Sequence, residues 1–180
     1  WARAGADLFG VDLTEAALEN TRKRLALFGL QSKLFRLNAE LLPFPDNHFD
    51  VVYSWGVIHH SEEPELIVRE IYRVLKPGGR VITMFYSKHS LRTWKYWVRY
   101  ALLKGKLHWG IREVMWHHME SLGTKCYTHT QLRKMFSAFG EVSVTKFLTP
   151  YDLTWIPSFI CPYLPDSLGF FSVVKARKIF

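Results

Sequence analysis

The chain has 180 residues, 48% of them hydrophobic, enough to bury one sizeable core in a single domain over 1–180. No run of about 18 uninterrupted apolar residues exists, which argues against a membrane span. The net charge of +8 is uneven: residues 1–70 carry 7 basic and 11 acidic side chains, residues 71–180 carry 17 and 5, and no acid lies between Glu70 and Glu113.

Such asymmetry fits either an anionic partner or a solvated basic face. Cys126 and Cys161 form no Cys-x-x-Cys pair. Their sparseness points to a reduced, cytoplasmic setting without a metal site. Because the chain opens on Trp1 and not on Met, upstream sequence is expected before it.

In chain order, Ala2–Ala6 reads as a helix tail stopped at Gly5. Leu8-Phe9-Gly10-Val11 is a short strand ending at Asp12. Thr14 caps a helix whose apolar side uses Ala17, Leu18, Leu25 and Phe28, and Gly29 closes it. Leu34, Phe35 and Leu37 form a second strand running to Asn38, and Phe49–Ser54 a third. The next helix has acids and Pro64 at its start, Arg73 and Lys76 at its end, and a stripe of Ile67, Ile71, Val74 and Leu75. Pro77-Gly78-Gly79 predicts a turn before a fourth strand, Val81–Phe85. Residues 87–122 read as helical and aromatic, and Thr130–Phe139 as a further helix. Val142–Leu148 and Phe170–Ala176 read as closing strands around an irregular loop, Thr149–Leu168, that holds four of the eight prolines. Strands alternating with helices predict an α/β fold, a doubly wound and mostly parallel sheet with helices on both faces.

Ligands bind such sheets at the carboxyl ends of the strands, where Asp12, Asn38 and Ser54 fall. A carboxylate there can accept from both ribose hydroxyls of a nucleotide, although an Asp before a helix is also a common cap. The ordered series Gly10-Val11-Asp12-Leu13-Thr14, Asn38-Ala39-Glu40, Leu42-Pro43-Phe44-Pro45-Asp46, Phe49-Asp50-Val51-Val52, Gly56-Val57-Ile58-His59-His60 and Leu75-Lys76-Pro77-Gly78-Gly79 is more specific. It resembles the class I, Rossmann-like S-adenosylmethionine-dependent methyltransferases, including the ubiquinone/menaquinone C-methyltransferase group, densely over residues 1–86 and loosely over the last strands.

The resemblance implies S-adenosylmethionine as cofactor, with Asp12 on its ribose and Leu13 beside its adenine. Asn38 would face the adenine amino group, where relatives usually carry Asp, with the Ala39 amide close to the ring. Ser54, Trp55 and Gly56 match the segment beside the methionine part. The family's first strand and glycine-rich loop would lie before Trp1. The implied reaction is methyl transfer to a small-molecule or lipid-like acceptor, in which positioning matters more than acid–base help. His59 and His60 are the candidate general bases, against a plainer role in packing. Competing readings are a non-catalytic binding or scaffold relative without the glycine loop, and a nicotinamide-binding dehydrogenase, which leaves Asn38-Ala39 unexplained.

Within 88–103, Leu91, Trp94, Trp97, Val98, Ala101 and Leu102 share one helical side, flanked by Lys88, Arg92, Lys95 and Arg99. Three readings apply to this insertion within 87–122: an ordinary packed helix, a substrate lid by family analogy, or peripheral membrane contact. Nucleic acid fits less well, because no recognised binding motif accompanies the charge.

Overall fold

The computed structural model describes residues 1–154, 156–157 and 159–180. Trp1–Phe44 and Pro45–Phe180 form two compact units, each described by itself.

In the first unit, β1 (Phe9–Asp12) pairs in parallel with β2 (Lys33–Arg36). A parallel pair needs a crossover, and α1 (Glu15–Ala26) supplies it. The Thr14 hydroxyl accepts from the Ala17 amide at 3.4 Å, the expected cap, and Gly29 leaves the helix at φ 65°. Phe9, Phe35 and Phe44 form a ring cluster with centroids 5.6 to 6.2 Å apart. Leu18 is the one buried residue of α1. Phe28, expected on the apolar side, is 60% exposed with Arg3 over its ring. The reason is that it lies beyond the last helical turn.

The second unit is built on a four-stranded sheet in the order β3-β4-β6-β5: β3 (Phe49–Trp55), β4 (Leu75–Tyr86), β5 (Gly140–Phe147) and β6 (Phe171–Arg177). β3 and β4 are parallel, and the closing strands run antiparallel to their neighbours. The α/β class therefore holds, but the sheet expected to be mostly parallel is mixed: β1–β2 and β3–β4 pair in parallel, and β4–β6 and β5–β6 antiparallel. Between β3 and β4 lies α2 (Pro64–Val74), which buries Ile67, Val68, Ile71 and Val74. Each such side chain contributes about 1.5–3 kcal/mol on leaving water.

β4 begins six residues before the expected Val81. Phe49 faces Leu75 but Val51 faces Arg80, so the Pro-Gly-Gly turn is a bulge inside the strand. Gly79 makes the bulge possible, since a Cβ there would stand 2.8 Å from the Lys76 carbonyl oxygen.

The 87–122 segment divides into α3 (Leu91–Tyr100), a 3₁₀ turn at Leu102–Lys104 and α4 (Ile111–His118). Gly105, at φ 66°, ends the turn. The single apolar side expected for 88–103 is split. Tyr96 and Trp97 pack on Met84, Tyr86, Met115 and Met119, and Ala101 is buried, whereas Trp94, Val98 and Leu102 face solvent.

α5 (His129–Met135) ends before Phe136 and Phe139, which are buried beyond it. The loop expected over 149–168 contains a short helix, α6 (Pro150–Leu153), and 3₁₀ turns at Cys161–Tyr163 and Asp166–Leu168. Buried Asp152 organises it, accepting from the Thr149 amide at 2.9 Å and the Phe170 amide at 3.1 Å. Trp155 and Ser158 of that loop lie outside the described residues.

Candidate active site

The predicted site residues fall in both units. In the first, β1 and β2 run the same way, so Asp12 and Asn38 belong to one edge. Asp12 Oδ1 accepts from the Thr14 amide and hydroxyl, both at 2.8 Å. Oδ2 has no hydrogen-bond partner among the described residues, so this acid serves as a turn-forming cap and keeps an acceptor oxygen over. Leu13 is 66% exposed beside it. Asn38 is exposed and Ala39 partly buried. The Asn38 amide is oriented locally: its oxygen accepts from the Glu40 amide at 3.0 Å, and its nitrogen donates to Glu40 Oε2 at 3.2 Å. An amide oxygen has two lone pairs, so one remains for a ligand.

In the second unit, Ser54 and Trp55 pair with Thr83 and Met84 at the carboxyl end of β3. Trp55 is 47% exposed and stacks on Tyr53, with centroids 5.8 Å apart. Gly56 follows at φ 74°, a left-handed residue that lets the chain turn off the strand into the 3₁₀ turn Ile58–His60. Ser54, Trp55, Gly56 and the two histidines therefore gather where β3 ends.

The histidines differ. His59 is fully buried, 4.0 Å from the Tyr86 ring, and neither ring nitrogen has a hydrogen-bond partner among the described residues. Burial pushes its pKa down to about 3, and His60 pushes the same way. The Met84 backbone opposes this weakly, from outside hydrogen-bond geometry. His59 is neutral packing. His60 is half-buried, with burial lowering its pKa while Glu120 pulls it up and Lys125 down. It stands 3.7 Å from Glu120, and Glu120 in turn accepts from the Tyr86 hydroxyl at 2.7 Å.

Sequence reasoning missed Glu120 and Tyr86. The only signal available was that Glu120 is one of two acids in the otherwise basic stretch between Glu70 and Glu141. His117 and His118 stack on Trp109 and Tyr100 respectively, with their own ring centroids 6.4 Å apart. Two clefts of about 450 and 270 Å³ occur among the described residues, the first lined by His89, His129 and Lys146 and the second by Lys88, Arg112 and Lys125. Neither is lined by the predicted residues.

Residues 1–83 match the family model described as a methyltransferase domain. Among curated relatives, the ubiquinone/menaquinone biosynthesis C-methyltransferase UbiE of Citrobacter koseri is 41% identical over 80 residues, 43% of this chain and 32% of the relative. The enzyme of the same name from Yersinia enterocolitica is 40% identical over 83 residues, 44% of this chain and 33% of the relative. The chain thus spans about a third of the length of these relatives. Among solved structures, a SAM-dependent methyltransferase of Thermotoga maritima, described as a possible histamine N-methyltransferase, aligns with a TM-score of 0.65 at 23% identity, covering 95% of this chain and 72% of that one. The [4+2]-cyclase SpnF aligns with a TM-score of 0.65 at 18% identity, covering 98% and 69%. These structural likenesses show the fold alone, a Rossmann-like α/β fold. The cyclase among them carries a different reaction in its name, so the fold does not by itself fix the chemistry.

Proposed function

We propose that this chain, whose residues 1–83 match the methyltransferase-domain family model, is a class I S-adenosylmethionine-dependent methyltransferase that transfers a methyl group to a small-molecule or lipid-like acceptor. The observation that carries the reading is the carboxylate at the end of β1, with one oxygen fixed by Thr14 and the other open. In this reading Asp12 Oδ2 takes the ribose hydroxyls, Leu13 packs beside the adenine, and Asn38 and Ala39 meet its polar edge. Ser54, Trp55 and Gly56 border the methionine part. The cofactor supplies a methyl group already activated by positive charge on sulfur. The protein's share is to orient the acceptor and exclude water, and residues 87–122 act as the lid of one domain spanning 1–180.

The experiment is incubation of the full-length protein with methyl-tritiated S-adenosylmethionine and fractionated cell extract. Label appearing in an organic-soluble or small-molecule product supports the enzyme. Cofactor binding without transfer to any fraction supports the non-catalytic alternative.

A second reading concerns where the acceptor is met. Trp94, Val98, Leu102, Leu103 and Leu107 are exposed, and Arg99, Lys104 and Lys106 lie among them. An exposed apolar ridge set in a basic field suits peripheral contact with an anionic membrane surface. Among the described residues no helix is long and apolar enough to cross a membrane.

A further inference from the structure

At the carboxyl end of β4 a second constellation is built from residues other than the proposed cofactor contacts. Three elements converge on the Glu120 carboxylate. Tyr86, the last residue of β4, donates to Oε2 at 2.7 Å. His60, closing the turn after β3, places Nε2 3.7 Å from the same oxygen. Tyr151, from α6, has its hydroxyl 3.5 Å from Oε1.

The hydroxyls of Ser121 and Thr124 approach His60 Nδ1 at 3.0 and 3.2 Å. The Thr124 hydroxyl also reaches the Ser121 carbonyl oxygen at 2.8 Å. In the tautomer with the ring proton on Nε2, Ser121 donates to Nδ1, Thr124 donates to the Ser121 carbonyl, and the ring proton lies toward Glu120. In that tautomer His60 steers the carboxylate and does not compete with it for a proton. Glu120 holds φ 22°, a costly value for a residue with a side chain, which persists only where the surroundings over-determine it. Its side chain is 44% exposed, so a ligand can reach it. Met84, which pairs with Trp55, lies two residues before Tyr86, so the carboxylate belongs to the same end of the sheet as Trp55 and Gly56.

We infer that Glu120 accepts the proton lost by the methyl acceptor, that Tyr86 and His60 are its positioning residues, and that the acceptor is a phenol or an enol. The inference rests on the methyl-transfer reading. A carboxylate is too weak a base for an aliphatic alcohol, and a neutral amine needs no base before it attacks. A phenol or enol is acidic enough to pass its proton as its oxygen, or the carbon it activates, forms the new bond. As that bond to the methyl carbon forms, the carbon–sulfur bond breaks and leaves its electron pair on sulfur. The acceptor's proton moves to Glu120 and from there to water. Tyr151, stacked on Phe171 with centroids 6.0 Å apart, presents an aromatic wall beside the carboxylate.

The test is titration of 4-nitrophenol, whose neutral and ionised forms absorb at different wavelengths, into the full-length protein saturated with S-adenosylhomocysteine. Saturable binding is expected, with Glu120→Gln weakening it about tenfold or more through loss of a charged acceptor. Tyr86→Phe and His60→Gln should weaken it less, and the calorimetric affinity for S-adenosylhomocysteine should stay unchanged in all three. The pH profile separates a proton acceptor from a merely structural residue. Wild-type affinity should fall as the probe ionises, because carboxylate and phenolate repel, and Glu120→Gln should lose that fall. The other groups facing Glu120 are Tyr86, Tyr151 with Arg92 over its ring, and His60 with Lys125 behind it. Absence of saturable probe binding, or an unchanged affinity and pH profile in Glu120→Gln, overturns the inference. Failure of the wild type to bind S-adenosylhomocysteine instead overturns the methyl-transfer reading beneath it.

Discussion

The Leu37 amide donates to the Asp12 carbonyl oxygen at 3.0 Å. That bond carries the β1–β2 ladder one step past its last strand pair and sets Asn38 immediately beyond it. Two polar side chains 26 positions apart in sequence thus share one strand-end edge.

Asn38→Asp gives the residue that the methyltransferase resemblance leads one to expect, but the structure attaches a condition. The Asn38 amide nitrogen donates to Glu40 Oε2 at 3.2 Å, so an Asp would set two carboxylates against each other. The expected outcome is near-unchanged S-adenosylmethionine affinity for Asn38→Asp alone, and tighter binding when Glu40→Gln removes the repulsion. Calorimetry checks both. A folded double variant binding about tenfold more weakly, a loss of about 1.4 kcal/mol, would show that Asn38 plays another part.

His59 gives a pH signature. Its pKa is about 3 in the folded chain against 6.5 unfolded, so the unfolded state binds the extra proton first. Stability is intact above pH 6.5 and is lost progressively as pH falls toward 3. At about 1.36 kcal/mol per pKa unit this is a loss of several kcal/mol. His59→Phe removes two unpartnered buried nitrogens and the titration together. It should unfold at an equal or higher temperature at pH 7 and lose less stability on acidification. A variant as acid-sensitive as the wild type would refute this account of His59.

The exposed ridge of α3 and the turn after it makes a further prediction. The protein should sediment with phosphatidylglycerol–phosphatidylcholine vesicles more than with pure phosphatidylcholine, and salt should reduce the difference. Arg99→Glu with Lys104→Glu should abolish the preference for anionic vesicles. Leu103→Ser should weaken binding to them through lost apolar insertion, since Leu103 is 73% exposed and replacing it leaves the core alone. Equal sedimentation with both vesicle types, or none with either, would contradict the membrane reading.

Much of the fold was legible where local chemistry sets it. Thr14 and Pro64 marked helix starts, the stripe of Ile67, Ile71, Val74 and Leu75 marked α2, and Asp12 and Asn38 stood out as polar residues closing apolar runs. What escaped depends on partners far away in the chain. The start of β4 at Leu75 is fixed by Phe49, and Asp152 is fixed by Phe170. The α3 stripe divides because one flank meets Met115 and Met119 and the other meets water, which helical periodicity alone does not distinguish. Glu120 and Tyr86 lie 34 residues apart with no spacing rule to connect them.

The central claim is that Asp12 holds the cofactor, and calorimetric titration of S-adenosylmethionine into the wild type, Asp12→Asn and Asp12→Ala tests it most directly. Asp12→Asn keeps an oxygen for the Thr14 amide and hydroxyl, so it separates the lost charge from the lost turn. The account predicts saturable wild-type binding and a loss of about 1.5–3 kcal/mol for Asp12→Ala, with Asp12→Asn intermediate. Unchanged affinity in an Asp12→Ala protein that circular dichroism shows to be folded would contradict it.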